Sequence, residues 1–174
     1  MKGLALAALV VTAAVAQVTV APLFPVRGAV PELVVLTLAM IGTFAGPRAA
    51  MVLTPAAALA AGFLSDRDAG LLLVAYLPLL PLGAWLEDAP LPLAAGVRSW
   101  LTVLGAGVAY RVVLAAAAML TGARVMVGPL VWDVVFPGLL VDSLFFSLCY
   151  IPLRLVGWSG GGLKLSRGRY VSGL

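Results

Sequence analysis

Arg111 and Asp142 lie deep within apolar stretches of this sequence, where ionisable side chains are uncommon. A charge at the centre of a lipid-embedded helix costs at least about 2.5 kcal/mol unless it is paired or hydrated. At about 1.5 Å per residue, Arg111 lies roughly 20 Å along a helix from Arg98, and Asp142 lies roughly 18 Å from Arg154. This matching depth predicts an intramembrane ion pair between consecutive helices. The alternative is a polar cavity that binds an ion or a solute.

The sequence offers no recognisable catalytic set. It contains no histidine, which is the commonest general base and the commonest metal ligand, so the serine hydroxyls have no histidine to activate them. Asp66 and Asp68 flank Arg67, whereas Glu87 and Asp88 lie at the other end of the following apolar run. Solvated loops therefore explain these acids better than a divalent-ion site does. We predict that the protein is not an enzyme and holds no metal or cofactor.

The helices that must position Arg111 and Asp142 follow from the composition. Hydrophobic residues make up 63% of the 174 positions and charged residues 10%, which leaves too little polar surface for a water-soluble protein. A helix needs about 20 apolar residues to cross a bilayer. Six apolar runs lie near 3–23, 31–46, 48–64, 70–87, 97–121 and 129–155. The sequence therefore predicts an all-α integral membrane protein with about six transmembrane helices.

Three of these runs allow a second interpretation. Runs 31–46 and 48–64 are short for a bilayer, so they either cross it or form a re-entrant hairpin. In the first run, Lys2 and the small residues at 14–16 resemble a cleaved secretory signal. Because the apolar residues continue to Phe24, we favour a retained first helix.

The basic residues predict the orientation of the chain. Cytoplasmic loops of membrane proteins carry an excess of lysine and arginine. With the amino terminus in the cytoplasm, three basic residues lie outside (Arg27, Arg67 and Arg124) and seven lie inside: Lys2, Arg48, Arg98, Arg154, Lys164, Arg167 and Arg169. Both termini are therefore predicted to be cytoplasmic, with a polytopic membrane domain at 1–158 and a basic cytoplasmic tail at 159–174. The basic residues favour contact with the lipid bilayer, and no nucleic acid partner is predicted.

Small side chains recur at helical spacing and predict close contacts between helices. Lipid tails are as apolar as leucine, so membrane helices associate through van der Waals packing at small residues. Three rows occur: Ala8, Thr12 and Ala16; Ala50, Thr54, Ala58 and Gly62; and Gly105, Ala109 and Ala117. Gly105-Ala106-Gly107 lacks a preceding strand and a third glycine, so we interpret it as helix packing as well.

Prolines, glycines and polar residues mark the first four apolar runs in a distinctive order. In chain order they are Gln17, Thr19, Pro22, Pro31-Glu32, Gly62-Phe63-Leu64-Ser65-Asp66, Gly70, Tyr76 and Gly83. Over residues 17–83 this order resembles the family of the bacterial rod shape-determining protein MreD. Residues 97–158 resemble that family in helix number, in length and in a basic end at Arg154. The aromatic content is lower, and the glycine-rich basic tail longer, than the family pattern.

The resemblance implies a noncatalytic part of the cell-elongation machinery in the bacterial inner (cytoplasmic) membrane. The main partner would be the single-span protein MreC, with the actin-like MreB acting indirectly. The glycosyltransferase RodA and the class B penicillin-binding transpeptidase, which build lateral peptidoglycan, would lie nearby. The resemblance also implies a fold similar to the substrate-binding S-components of energy-coupling-factor vitamin transporters.

Two functions are therefore open. In the first, the protein is a membrane scaffold that binds MreC; the candidate partner-contact or helix-packing residues are Gln17, Thr19, Ala50, Thr54, Ala58, Gly62 and Asp66. In the second, it is a solute-binding membrane subunit of an energy-coupling-factor-type vitamin transporter. Such a subunit needs a pocket lined by several convergent polar or aromatic side chains. The outward loops supply few of these: Asp66, Arg67, Asp68, Trp132 and Asp133.

Overall fold

The computed structural model describes residues 2–88 and 94–155, and these residues are mainly α-helical. The α-helices are α1 (Lys2–Thr19), α2 (Leu33–Ala45), α3 (Pro47–Ser65), α4 (Ala69–Tyr76), α5 (Leu79–Asp88), α6 (Ala95–Leu120), α7 (Val127–Pro129) and α8 (Phe136–Leu155). A 3₁₀ turn, Ala21–Leu23, follows α1, and a π-helical segment, Leu130–Val135, joins α7 to α8. The predicted tail at 159–174 lies outside the described residues.

Five helical segments are long and apolar enough to cross a membrane. They are Gly3–Leu23, Pro47–Ser65, Ala69–Leu86, Gly96–Leu120 and Val127–Leu155. The protein is therefore a multi-pass membrane protein built from helices. The remaining predicted span, run 31–46, corresponds to the 13-residue helix α2. The length of α2, about 20 Å, is less than the hydrocarbon thickness of about 30 Å.

Helix α3 lies at the centre of one half of the molecule and packs against α1, α2 and α4. Its row of small residues faces inward: Ala50, Thr54 and Ala58 are each at most 3% exposed. Gly62 is also buried, and a Cβ atom added there would lie 2.8 Å from the Cβ of Ala69 in α4. These small residues let neighbouring helices approach closely.

The helices define two ends of the molecule. We call one the Arg67 end, formed by the connections 20–32, 66–68 and 121–126, and the other the Arg48 end, where α2 passes into α3. Two non-glycine residues with positive φ among the described residues, Arg27 at 52° and Asp66 at 54°, both lie at the Arg67 end. Arg27 begins a tight turn with Gly28, in which Val26 and Ala29 exchange two backbone hydrogen bonds.

Candidate functional site at the Arg67 end

Arg111 and Asp142 form a buried salt bridge between α6 and α8. Nη1 of Arg111 lies 2.8 Å from Oδ2 of Asp142, and the two residues are 6% and 1% exposed. The same Nη1 donates to the carbonyl oxygen of Gly107 at 3.1 Å. The other carboxylate oxygen of Asp142 accepts from the backbone N–H of Glu32 at 2.8 Å. The pair therefore joins α6 and α8 to the start of α2.

Two glycines make room for this salt bridge. A Cβ atom at Gly107 would lie 3.1 Å from Nη1 of Arg111 and 3.2 Å from Oδ2 of Asp142. At Gly138, on the facing helix, an added Cβ would overlap the guanidinium group itself. Nη2 of Arg111 is buried and has no hydrogen-bond partner among the described residues. The guanidinium group thus lies flat against the α8 backbone, and glycine at position 138 is what permits this.

Glu32 is a second buried carboxyl group at this site, and its position in the sequence indicated only the opening of an apolar run. It is 7% exposed and precedes the first residue of α2. Burial raises its pKa to about 7, against the opposing influence of the Arg111 guanidinium. Tyr110 donates a hydrogen bond to its side chain. An acidic residue placed directly before an apolar run was the signal that could have identified it.

Arg67 reaches this cluster from the connection between α3 and α4. Its Nη1 donates to the hydroxyl oxygen of Tyr110 at 3.3 Å. The ring of Tyr110 stacks on that of Tyr76, with centroids 5.6 Å apart and planes within 10°. Three segments distant in sequence therefore meet at one point, where Arg67, Tyr110 and Glu32 form a connected polar row.

Two cavities lie on either side of this polar row. One, of about 230 Å³, is bordered by α1, α3 and α4, and includes Gln17, Ser65 and Tyr76 in its lining. The other, of about 300 Å³, is bordered by α6 and the π-helical segment, and includes Arg111 in its lining. Val30, Glu32, Arg67 and Tyr110 line both. We call the two together the Arg67 chamber. The outward loops predicted few convergent polar groups, and contacts between distant segments bring further ones together.

Gln17 has an intramolecular role. Its side-chain Nε2 donates to the carbonyl oxygen of Pro31 at 3.0 Å, and its Oε1 accepts from the backbone N–H of Leu33 at 2.6 Å. The amide thereby holds the entry into α2 against α1. Both of its polar atoms bond within the chain, which agrees with the helix-packing alternative, and a contact of Gln17 with a partner helix stays a prediction.

Thr19 and Asp66 lie on the surface at the Arg67 end. The Thr19 hydroxyl donates to the carbonyl oxygen of Val15 in its own helix at 2.9 Å. Asp66 ends α3 in the left-handed conformation, with its side chain exposed. Asp68 caps the start of α4, where its carboxylate accepts from the backbone N–H of Leu71 at 2.8 Å.

The small-residue rows of α1 and α3 differ in burial. The row from Ala50 to Gly62 was a candidate for partner contact or for helix packing, and it is buried against other helices of the chain. The row on α1 stays nearer the surface: Ala8 and Thr12 are exposed. Thr12 and Ala16 line a groove of about 200 Å³ between α1 and α8, floored by α2.

No family model, curated protein or solved structure matches this chain. The geometry of the chain and the resemblance of residues 17–83 are therefore the guides to its function.

Proposed function

We propose that this protein is a noncatalytic scaffold of the MreD kind in the bacterial inner membrane. It binds the single-span protein MreC and supports lateral peptidoglycan synthesis and cell shape alongside RodA, the class B penicillin-binding transpeptidase and MreB. Both termini lie in the cytoplasm, and α2 completes a set of six spans. The resemblance of residues 17–83 motivates the proposal, and the surface of α1 is the observation that carries it.

The groove beside α1 has the features that a partner helix requires. In lipid, helices associate where small side chains let their backbones approach closely. Thr12 and Ala16 present such side chains at one edge, and Phe145 and Cys149 of α8 form the other edge. The hydroxyl of Thr12 is bonded to the carbonyl oxygen of Ala8, so it brings no unpaired polar group to the contact.

Co-purification with MreC from membranes tests this proposal. The variant that combines Thr12→Leu with Ala16→Leu fills the groove and is expected to reduce recovery of MreC about tenfold or more, because several close contacts are lost together. Ala56→Leu and Ala116→Leu are the controls, since both alanines are exposed on other helices. Ala58→Leu is unsuitable because Ala58 is 1% exposed and the larger side chain would disturb α3 itself. Equal recovery of MreC with the groove variant and the controls would contradict the proposal.

The Arg67 chamber favours a second candidate, the solute-binding membrane subunit. Its lining includes the polar or aromatic side chains of Gln17, Glu32, Arg67, Tyr76 and Tyr110, which is the kind of convergence that a solute pocket needs. Mass spectrometry of the purified protein separates the two candidates. The solute-binding subunit would be favoured by a small molecule that remains bound in stoichiometric amount, together with undiminished solute binding when MreC is absent.

A further inference from the structure

The Arg67 chamber differs from the apolar groove beside α1 in the polar groups of its lining. Its two cavities have volumes of about 230 and 300 Å³ and together reach the usual size of a small-molecule site. Their walls are mostly apolar, with Leu114, Ala115, Leu130 and Val134 on one side. The polar groups are concentrated in the row that separates the cavities.

The charges in this row favour an anion. Arg111 is already paired with Asp142 at 2.8 Å, and the Glu32 carboxyl group accepts a hydrogen bond from Tyr110. Arg67 differs from both: it is exposed, and the hydrogen bond to Tyr110 engages one of the five N–H donors of its guanidinium. Its remaining donors suit a carboxylate or a phosphate, which an arginine binds through paired hydrogen bonds.

The backbone around the chamber is unusual on three sides. Arg27 and Asp66, both with positive φ, directly precede the lining residues Gly28 and Arg67. Leu130 and Val134 belong to the π-helical segment. π-Helical turns and residues in sparsely populated conformations are concentrated at functional sites. All three features border the Arg67 chamber.

We propose that the Arg67 chamber binds an anionic group, a carboxylate or a phosphate, on the guanidinium of Arg67, with any attached hydrocarbon lying along the apolar walls. The anion is either the headgroup of a lipid or a free solute. This inference goes beyond the scaffold function, because the binding of MreC at α1 does not require it.

Proton uptake accompanies binding. The groups that face Glu32 are Arg67, Arg111, Asp142 and Tyr110, and an anion beside Arg67 adds a further negative charge. That charge raises the pKa of Glu32 above its value of about 7 in the empty chamber. Binding of a carboxylate, which keeps its charge over this range, is therefore expected to tighten as the pH falls from about 8 to about 6.

The test uses the full chain in a nonionic detergent and follows its melting temperature. The probes are octyl phosphate, octanoate, octanol and inorganic phosphate. Octyl phosphate and octanoate are expected to raise the melting temperature in a saturable way, whereas octanol, which has the same chain without the charge, does not. Arg67→Gln is expected to weaken binding about tenfold or more, and Arg67→Lys to restore part of it. Arg48 is an exposed arginine at the Arg48 end of the molecule, and Arg48→Gln is expected to leave binding unchanged.

Each result of this test has a defined meaning. Inorganic phosphate that binds as tightly as octyl phosphate identifies a free anion as the ligand. Binding that needs the octyl chain identifies a lipid headgroup. The proposal is overturned if no anion shifts the melting temperature, if octanol acts as strongly as octanoate, or if Arg67→Gln and Arg48→Gln bind alike. The pH dependence is checked with octanoate, which stays ionised from about pH 6 to about pH 8, and Glu32→Gln is expected to bind octanoate with the same affinity at both pH values.

Discussion

The surroundings of α3 and the interface between α6 and α8 are held together in different ways. Helix α3 uses Ala50, Thr54, Ala58 and Gly62, and no ion pair among the described residues lies along that row. The α6–α8 interface uses one salt bridge that is almost completely buried. At small residues the stabilising energy is spread over many weak van der Waals contacts. In a buried ion pair it is concentrated in one interaction.

This difference predicts how each region responds to a single substitution. Loss of one partner from a buried ion pair leaves an uncompensated charge, which is strongly destabilising. Loss or gain of one methyl group at α3 changes few contacts, and the neighbouring helices relax partly. The two regions should therefore differ in sensitivity, and the following substitutions test that.

Asp142→Ala is expected to have the largest effect, a loss of about 3–5 kcal/mol in the free energy of unfolding. The substitution leaves Arg111 charged and buried, and it also removes the acceptor of the Glu32 backbone N–H. Unfolding by sodium dodecyl sulfate measures the loss. The double variant Arg111→Met with Asp142→Leu should recover part of it. A loss below about 1 kcal/mol for Asp142→Ala would show that the salt bridge does not hold the interface.

Gly62→Ala is expected to cost about 1–3 kcal/mol, because the new methyl group would lie 2.8 Å from Cβ of Ala69 and 3.1 Å from the carbonyl oxygen of Arg67. Gly42→Ala is the matched control. It also replaces a helical glycine, yet its Cβ would meet Ala50 at an ordinary 3.7 Å. Melting temperatures in detergent compare the two. Equal changes would mean that α3 and α4 can move apart without loss.

The pH dependence of stability reports on Glu32. Its pKa is about 7 in the folded protein, against an ordinary value of 4.5, so its contribution is fully present below pH 4.5 and is lost as the pH rises through 7. The slope is at most about 1.4 kcal/mol per pH unit. Glu32→Gln is expected to remove this slope in a series of melting temperatures from pH 4.5 to pH 8. A slope that is unchanged in the variant would assign the titration to another group.

Arg67→Gln is expected to have the smallest effect on stability, within about 0.5 kcal/mol, because Arg67 is exposed and its bond to Tyr110 is long at 3.3 Å. Its influence should be electrostatic. The Arg67 guanidinium lowers the pKa of Glu32, so in the variant the loss of stability continues to a higher pH. The same melting series detects this shift, with Arg48→Gln as the control.

Local properties of the sequence were enough to predict the helices and their approximate lengths. The predicted runs 48–64 and 129–155 agree closely with Pro47–Ser65 and Val127–Leu155, because proline, glycine and charge interrupt apolar runs at short range. The pairing of Arg111 with Asp142 could also be predicted. The rise of a helix fixes the depth of each residue, and an isolated charge in lipid needs a partner.

The tertiary structure alone decided which helix faces are buried and which polar groups meet. In water, a helix reveals its inner face by an apolar stripe. In lipid, both faces are apolar, so the sequence did not show that Ala58 faces inward and Thr12 outward. The meeting of Glu32, Arg67 and Tyr110 depends on contacts between segments far apart in the chain, and no local pattern records such contacts.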